Sequence, residues 1–70
     1  MTKFTERLKQ LREEHGVSQA TVSKVVGVSR YAIYAYEKGK AAPSLDGLVA
    51  LADYFDVTLD YLLGRTDTPR

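Results

Sequence analysis

The sequence predicts an all-α fold of five short helices, and three observations carry that prediction. Apolar residues recur at helical spacing along the chain, beginning with Phe4, Leu8 and Leu11 at i, i+4, i+7. Serine, threonine and glycine punctuate the apolar segments as caps, at Ser18, Gly27, Ser29, Gly39, Ser44, Thr58 and Gly64. The β-branched run TVSKVVGV is the best candidate for a strand, but nothing else in the chain offers it a partner.

The first helix runs from about residue 3 to 15, with Thr2 or Thr5 as its cap. His15 in its last turn suits the negative end of the helix dipole, and Gly16 stops it. That gives the single histidine a structural role. The second helix opens at Ser18, whose hydroxyl can accept from an orphan N–H of the first turn. Val22, Val25 and Val26 form one face of it, and Gly27 ends it. Its Val, Thr and Ser content gives poor helix propensity, so tertiary packing must hold it. Ser29 caps the third helix, Ile33 and Tyr36 continue the apolar stripe, and Gly39 closes it.

Two helices joined by a three- or four-residue turn containing Gly have helix-turn-helix geometry, here over about residues 18–38. The steep crossing requires a small residue between the helices, and Ser23 is suitably placed. The third helix then turns Arg30, Tyr31, Tyr34 and Ala35 away from the body.

Lys40 to Pro43 is a connection, with Pro43 keeping Ala42 extended. Ser44 caps a fourth helix whose Leu45, Leu48, Val49, Leu51, Ala52 and Phe55 make the strongest apolar stripe in the chain. Asp56 stands where a helix-ending left-handed residue is needed, which Asp tolerates better than most. Thr58 caps a short fifth helix with Asp60 in its first turn, and Gly64 ends it. The domain thus spans residues 1–64, and 65–70, with turn formers and a Pro, reads as a frayed tail.

Seventy residues leave room for one core, and 44% apolar with 27% charged residues excludes a disordered chain. With no cysteine there is no disulfide, so stability must come from helix packing or from a second copy. The N-terminal run KFTERLKQLREEH is not a signal peptide, and Asp46, Gly47 and Asp53 interrupt the longest apolar region. A cytoplasmic protein with no membrane partner is expected.

The net charge of +1 conceals an asymmetry. Residues 1–40 carry eight cations (Lys3, Arg7, Lys9, Arg12, Lys24, Arg30, Lys38, Lys40) against Glu6, Glu13, Glu14 and Glu37, a net +4. Residues 41–70 carry Arg65 and Arg70 against Asp46, Asp53, Asp56, Asp60 and Asp67, a net −3. Such a division suits a protein with one side facing phosphates.

The stretch RLKQLREEHGVSQATVSKVVGVSRYAIYAYEKGKAAPSL, followed by ALADYFDVTLDYLLG, resembles the Cro/phage-repressor type helix-turn-helix family, often called the Xre family. The shared marks are LR before the HG turn, V-S-Q, G-V-S, Y-E-K-G-K, P-S-L and L-D-Y-L-L, in order from about Phe4 to Gly64. The resemblance implies a five-helix, phage-repressor-like domain that binds double-stranded DNA as a transcriptional regulator. It further implies a repressor acting as a homodimer on a palindromic operator, with the third helix in the major groove.

By the same resemblance, Gln19 matches a residue that contacts a phosphate and braces the third helix. Arg12 and Glu37 match a buried ion pair, and Ser29, Arg30, Tyr31, Tyr34 and Ala35 fall at positions facing DNA. Arg30 is the best candidate base reader, because a guanidinium can bond guanine O6 and N7 together. Ala35 can only touch a thymine methyl, while Lys38 and Lys40 would position the backbone. Three departures from the family pattern are Thr21 in place of Glu, Ser23 in place of Ala, and Ala41 and Ala42 where cations are common. Missing cations make the salt dependence shallower by about one unit each.

Two further readings follow from the residues. Leu59, Tyr61, Leu62 and Leu63, with Tyr54 and Val57, crowd the fifth-helix corner with more apolar surface than one short helix buries inward. They either form a two-fold contact or close the core. The aromatic face of the third helix also fits a protein–protein interaction module, through Tyr31 and Tyr34. An enzyme is not expected, and neither is a metal, a cofactor or a small-molecule ligand. The chain has no Cys, one capped His, and Asp residues at caps and turns.

Overall fold

Capping chemistry sets the helix boundaries. The computed structural model describes residues 2–70 and contains α1 (Thr2–Glu14), α2 (Gln19–Val26), α3 (Arg30–Lys38), α4 (Leu45–Phe55) and α5 (Leu59–Leu62). Ser18, Ser29, Ser44 and Thr58 are extended residues just before a helix. The side-chain oxygen of each accepts from the backbone N–H three residues on, at 3.0–3.1 Å. Each such cap contributes about 1 kcal/mol. α2, α3 and α4 end in left-handed residues, Gly27, Gly39 and Asp56. α1 begins at Thr2, so Thr2 and Thr5 both lie inside the helix rather than at its cap. His15 follows the helix, its Nδ1 2.9 Å from Leu11 O and its ring edge-on to Phe55 at 5.0 Å.

The core is one cluster: Phe4, Leu8 and Leu11 of α1, Val22 of α2, Ile33 and Tyr36 of α3, Leu51, Ala52 and Phe55 of α4, and Leu62 of α5. α2 packs on α3 and α4, α1 on α3 and α5, and α4 on α5. α3 is therefore held between α1 and α2, with its remaining side open. Ser23 is buried at the tight approach, where its hydroxyl donates to Ala20 O at 2.7 Å instead of remaining unpaired.

Several apolar residues fall outside this core. Val25 of α2 and Leu45 and Val49 of α4 are exposed, Leu45 to 72%. The buried arc of α4 is centred on Leu51 and Phe55 with Leu48 at its margin, and Leu45 and Val49 lie beyond it. Leu62, expected at a two-fold contact, is fully buried. α5 is a single turn, and Leu62 is the side chain it sends into the core.

Residues 65–70 fold back onto the domain. Gly64 turns the chain at φ 79°, and a Cβ there would overlap the Lys3 side chain. The segment then runs back over the α4–α5 corner, where Thr58 N donates to Pro69 O at 2.9 Å and Arg70 pairs with Asp56. Arg7 fastens it from α1. Its Nη1 donates to Tyr61 O at 2.9 Å and to Thr66 O at 3.3 Å. Its Nη2 lies 3.5 Å from Asp67 Oδ1, and its guanidinium stacks 3.9 Å from the Tyr61 ring centroid. Among the described residues, no helix is long and apolar enough to cross a membrane.

Candidate nucleic-acid interface

The open side of α3 is built on an ionic support. Glu37, its side chain only 5% exposed, accepts from Arg12 Nε at 2.7 Å and from Nη2 at 3.2 Å. Arg12 also donates to Val17 O at 3.2 Å, so one guanidinium joins α1, the α1–α2 turn and α3. The hydrogen bond with Glu37 raises the Arg12 pKa above its ordinary value, against the opposing effect of burial. A raised cation contributes stability below its unfolded pKa and loses it only as pH rises through the folded one. The guanidinium is therefore charged throughout the neutral range.

Glu37 Oε1 accepts a third bond, from Gln19 Nε2 at 3.2 Å. Gln19 is the first residue of α2, so the two helices of the motif are pinned to each other at this carboxylate. Arg12, Gln19 and Glu37 are thus brought together on one set of hydrogen bonds.

Above that support, Gln19, Arg30, Tyr31 and Tyr34 line a shallow open depression of about 410 Å³. Ser29 and Arg30 are exposed at the N-terminal end of α3, and Tyr31 is 67% exposed. The Tyr31 and Tyr34 rings lie 5.8 Å apart, tilted by 35°. The Lys38 and Lys40 ammonium groups lie over the Tyr34 ring at 5.7 and 5.9 Å. A guanidinium, two phenols, an amide and two ammonium groups therefore share one face. Those groups can donate to base edges and phosphates, and the rings can stack or make apolar contact. Among the described residues, no group of three or more His, Cys, Asp and Glu could hold a metal ion.

Ala35 does not belong to this face. It is only 5% exposed, which corrects the expectation that it reaches a thymine methyl. Its side of α3 is closed by packing and by the chain after Gly39, which turns back so that Lys40 N donates to Ala35 O at 2.9 Å. Arg7 and Arg12 also count for less than their charge implies, since both guanidiniums are engaged within the fold. The Arg7 contacts were beyond sequence reasoning, because nothing local to Arg7 announces partners 54 and 59 residues away.

The helix-turn-helix family pattern matches residues 8–62. Over 66 residues the chain is 38% identical to the uncharacterized HTH-type transcriptional regulator YobD of Bacillus subtilis (strain 168), covering 94% of this chain and 59% of YobD. The chain thus spans little more than half of that relative. A crystal structure of the P22 c2 repressor with a synthetic operator superimposes with a TM-score of 0.81 at 32% identity, covering 89% of this chain and 94% of the repressor chain. The restriction-modification controller C.AhdI of Aeromonas hydrophila gives 0.78 at 33%, covering 87% and 92%. With its five helices, the paired α2 and α3, and these matches, the chain belongs to the Xre-type helix-turn-helix family.

Proposed function

We propose that the chain is a transcriptional regulator that binds double-stranded DNA sequence-specifically, with the N-terminal part of α3 in the major groove. The observation that carries this reading is the exposed cluster of Arg30, Tyr31, Tyr34, Lys38 and Lys40 on one helix and its exit. The hydrogen bonds of Glu37 hold that helix rigidly from behind, as direct readout requires. The neighbouring P22 c2 repressor was solved on a synthetic operator, which supports duplex DNA as the partner here. In this reading Arg30 bonds a guanine, Ser29 and Gln19 contact phosphates or bases beside it, and Lys38 and Lys40 bind phosphates.

The chain acts as a regulator rather than an enzyme, in the cytoplasm, and represses as a homodimer on a palindromic operator. Residues 1–64 are the binding domain and 65–70 its tail. With Leu62 inside the core, the two-fold contact is left to Tyr54, Val57, Leu59, Tyr61 and Leu63, of which Tyr54 is the most exposed.

Selection of duplexes from a random pool, then fluorescence anisotropy across a salt series, tests the reading. Two phosphate-binding lysines per protomer, Lys38 and Lys40, both exposed, give a log–log salt slope of about −2 per protomer and about −4 for the homodimer. Absence of salt-dependent binding to every duplex refutes it. Sedimentation equilibrium showing only monomer, with and without the selected duplex, removes the dimer.

A further inference from the structure

The two tyrosines of α3 differ in their surroundings. Tyr31 keeps 67% of its surface open, while Tyr34 is reduced to 36% by what surrounds it. Tyr34 stands one turn after Tyr31 and one turn before Lys38, so helix geometry puts all three on one stripe. Lys40 joins the stripe by another route. Gly39, at φ 74°, reverses the chain, and Lys40 N closes onto Ala35 O. The Tyr34 ring is consequently contacted by the Tyr31 ring at 5.8 Å and by two ammonium groups at 5.7 and 5.9 Å. Each lies within the range in which ring–ring and cation–π contacts are attractive.

We infer that Tyr34 is a positioning residue for DNA recognition: its ring props Tyr31 beside Arg30 and gathers Lys38 and Lys40 toward the phosphates. The inference rests on the proposal that α3 enters the major groove. A lysine side chain is flexible, and holding it before contact lowers the ordering cost on binding. A tyrosine ring has two torsions only, and a second ring against it restricts them further. One side chain thereby couples the base-reading end of α3 to its phosphate-binding end. Tyr34 itself need not touch DNA.

Double-mutant cycles test this, read by anisotropy on a fluorescent duplex selected with the wild-type chain and on a scrambled duplex. Tyr31→Ala weakens binding to the selected duplex in the wild-type background and weakens it about fivefold less in a Tyr34→Ala background. Lys40→Ala shows the same dependence on Tyr34, by about threefold, on both duplexes. Tyr34→Phe keeps the ring and restores wild-type binding. A structural role for this exposed residue would lower the melting temperature and leave the cycles additive. Additive cycles, or a Tyr34→Phe variant as weak as Tyr34→Ala, overturn the inference while DNA binding stands. No salt-dependent binding of the wild-type chain to any duplex overturns the DNA-binding proposal, and the inference with it.

Discussion

Replacing Glu37 by Ala removes the acceptor of three hydrogen bonds, two from Arg12 and one from Gln19. The loss is larger than that of a surface ion pair, because the Glu37 side chain is 5% exposed and the abandoned Arg12 side chain 17%. Breaking a buried pair from one side typically costs about 3–5 kcal/mol. Arg12 retains Val17 O and some access to water, which brings the cost to the bottom of that range or just under it, about 2–3 kcal/mol. A 70-residue domain has total stability of roughly 4–10 kcal/mol, so this is a large share. At about 4–8 °C per kcal/mol for a domain of this size, the melting temperature falls by about 10–20 °C. Circular dichroism melts at neutral pH measure it directly. The double variant Arg12→Met, Glu37→Leu, which leaves no unpaired charge, recovers most of the loss. A Glu37→Ala protein melting within about 3 °C of the wild type refutes the argument that the pair is effectively buried.

Four other outcomes follow from the structure. Arg30→Ala relaxes base preference in a selection experiment, by about 1–3 kcal/mol at one position. Lys40→Ala instead weakens all duplexes alike and makes the salt slope shallower by about 0.9 per protomer. Gly64→Ala lowers the urea midpoint, with the m-value unchanged, by an amount equivalent to about 2 kcal/mol. It imposes a left-handed conformation and a collision with Lys3. Leu62→Ala, at a fully buried position, costs about 2–5 kcal/mol in the same assay.

What could be read from the sequence was what depends on neighbours in the chain. Ser18, Ser29, Ser44 and Thr58 act on N–H groups three residues away, and Gly27, Gly39 and Asp56 act on the turn they sit in. The five helices and their order therefore followed from local chemistry. Burial did not, because it depends on how many neighbours a helix has. α3 is packed by both α1 and α2, which widens its buried arc to include Ala35. α4 exposes Leu45 and Val49 although their spacing matches that of its core residues. Cations were the least legible. Arg7 looks like surface charge beside Lys9, yet its partners lie on elements far along the chain, whereas the Arg12–Glu37 pair was legible only through the family resemblance. The candidate site was visible as a set of residues on α3. Its internal order, with Tyr34 beneath Tyr31 and two lysines, depends on the turn at Gly39 and needed coordinates.

The fastening made by Arg7 has a consequence for the order in which this chain acquires its shape. Arg7 lies on α1, and its acceptors, Tyr61 O and Thr66 O, follow it in the chain by 54 and 59 residues. Leu62, which shares the core cluster with Phe4 and Leu8, is equally late. Helix α1 can pack on α3 as soon as α3 is made, but the α5 side of its apolar stripe stays uncovered until α5 follows. Closing that long loop is entropically costly and slow relative to forming any single helix. The support that α1 gives to α3 is thus complete only once α5 and residues 65–70 have docked on α1.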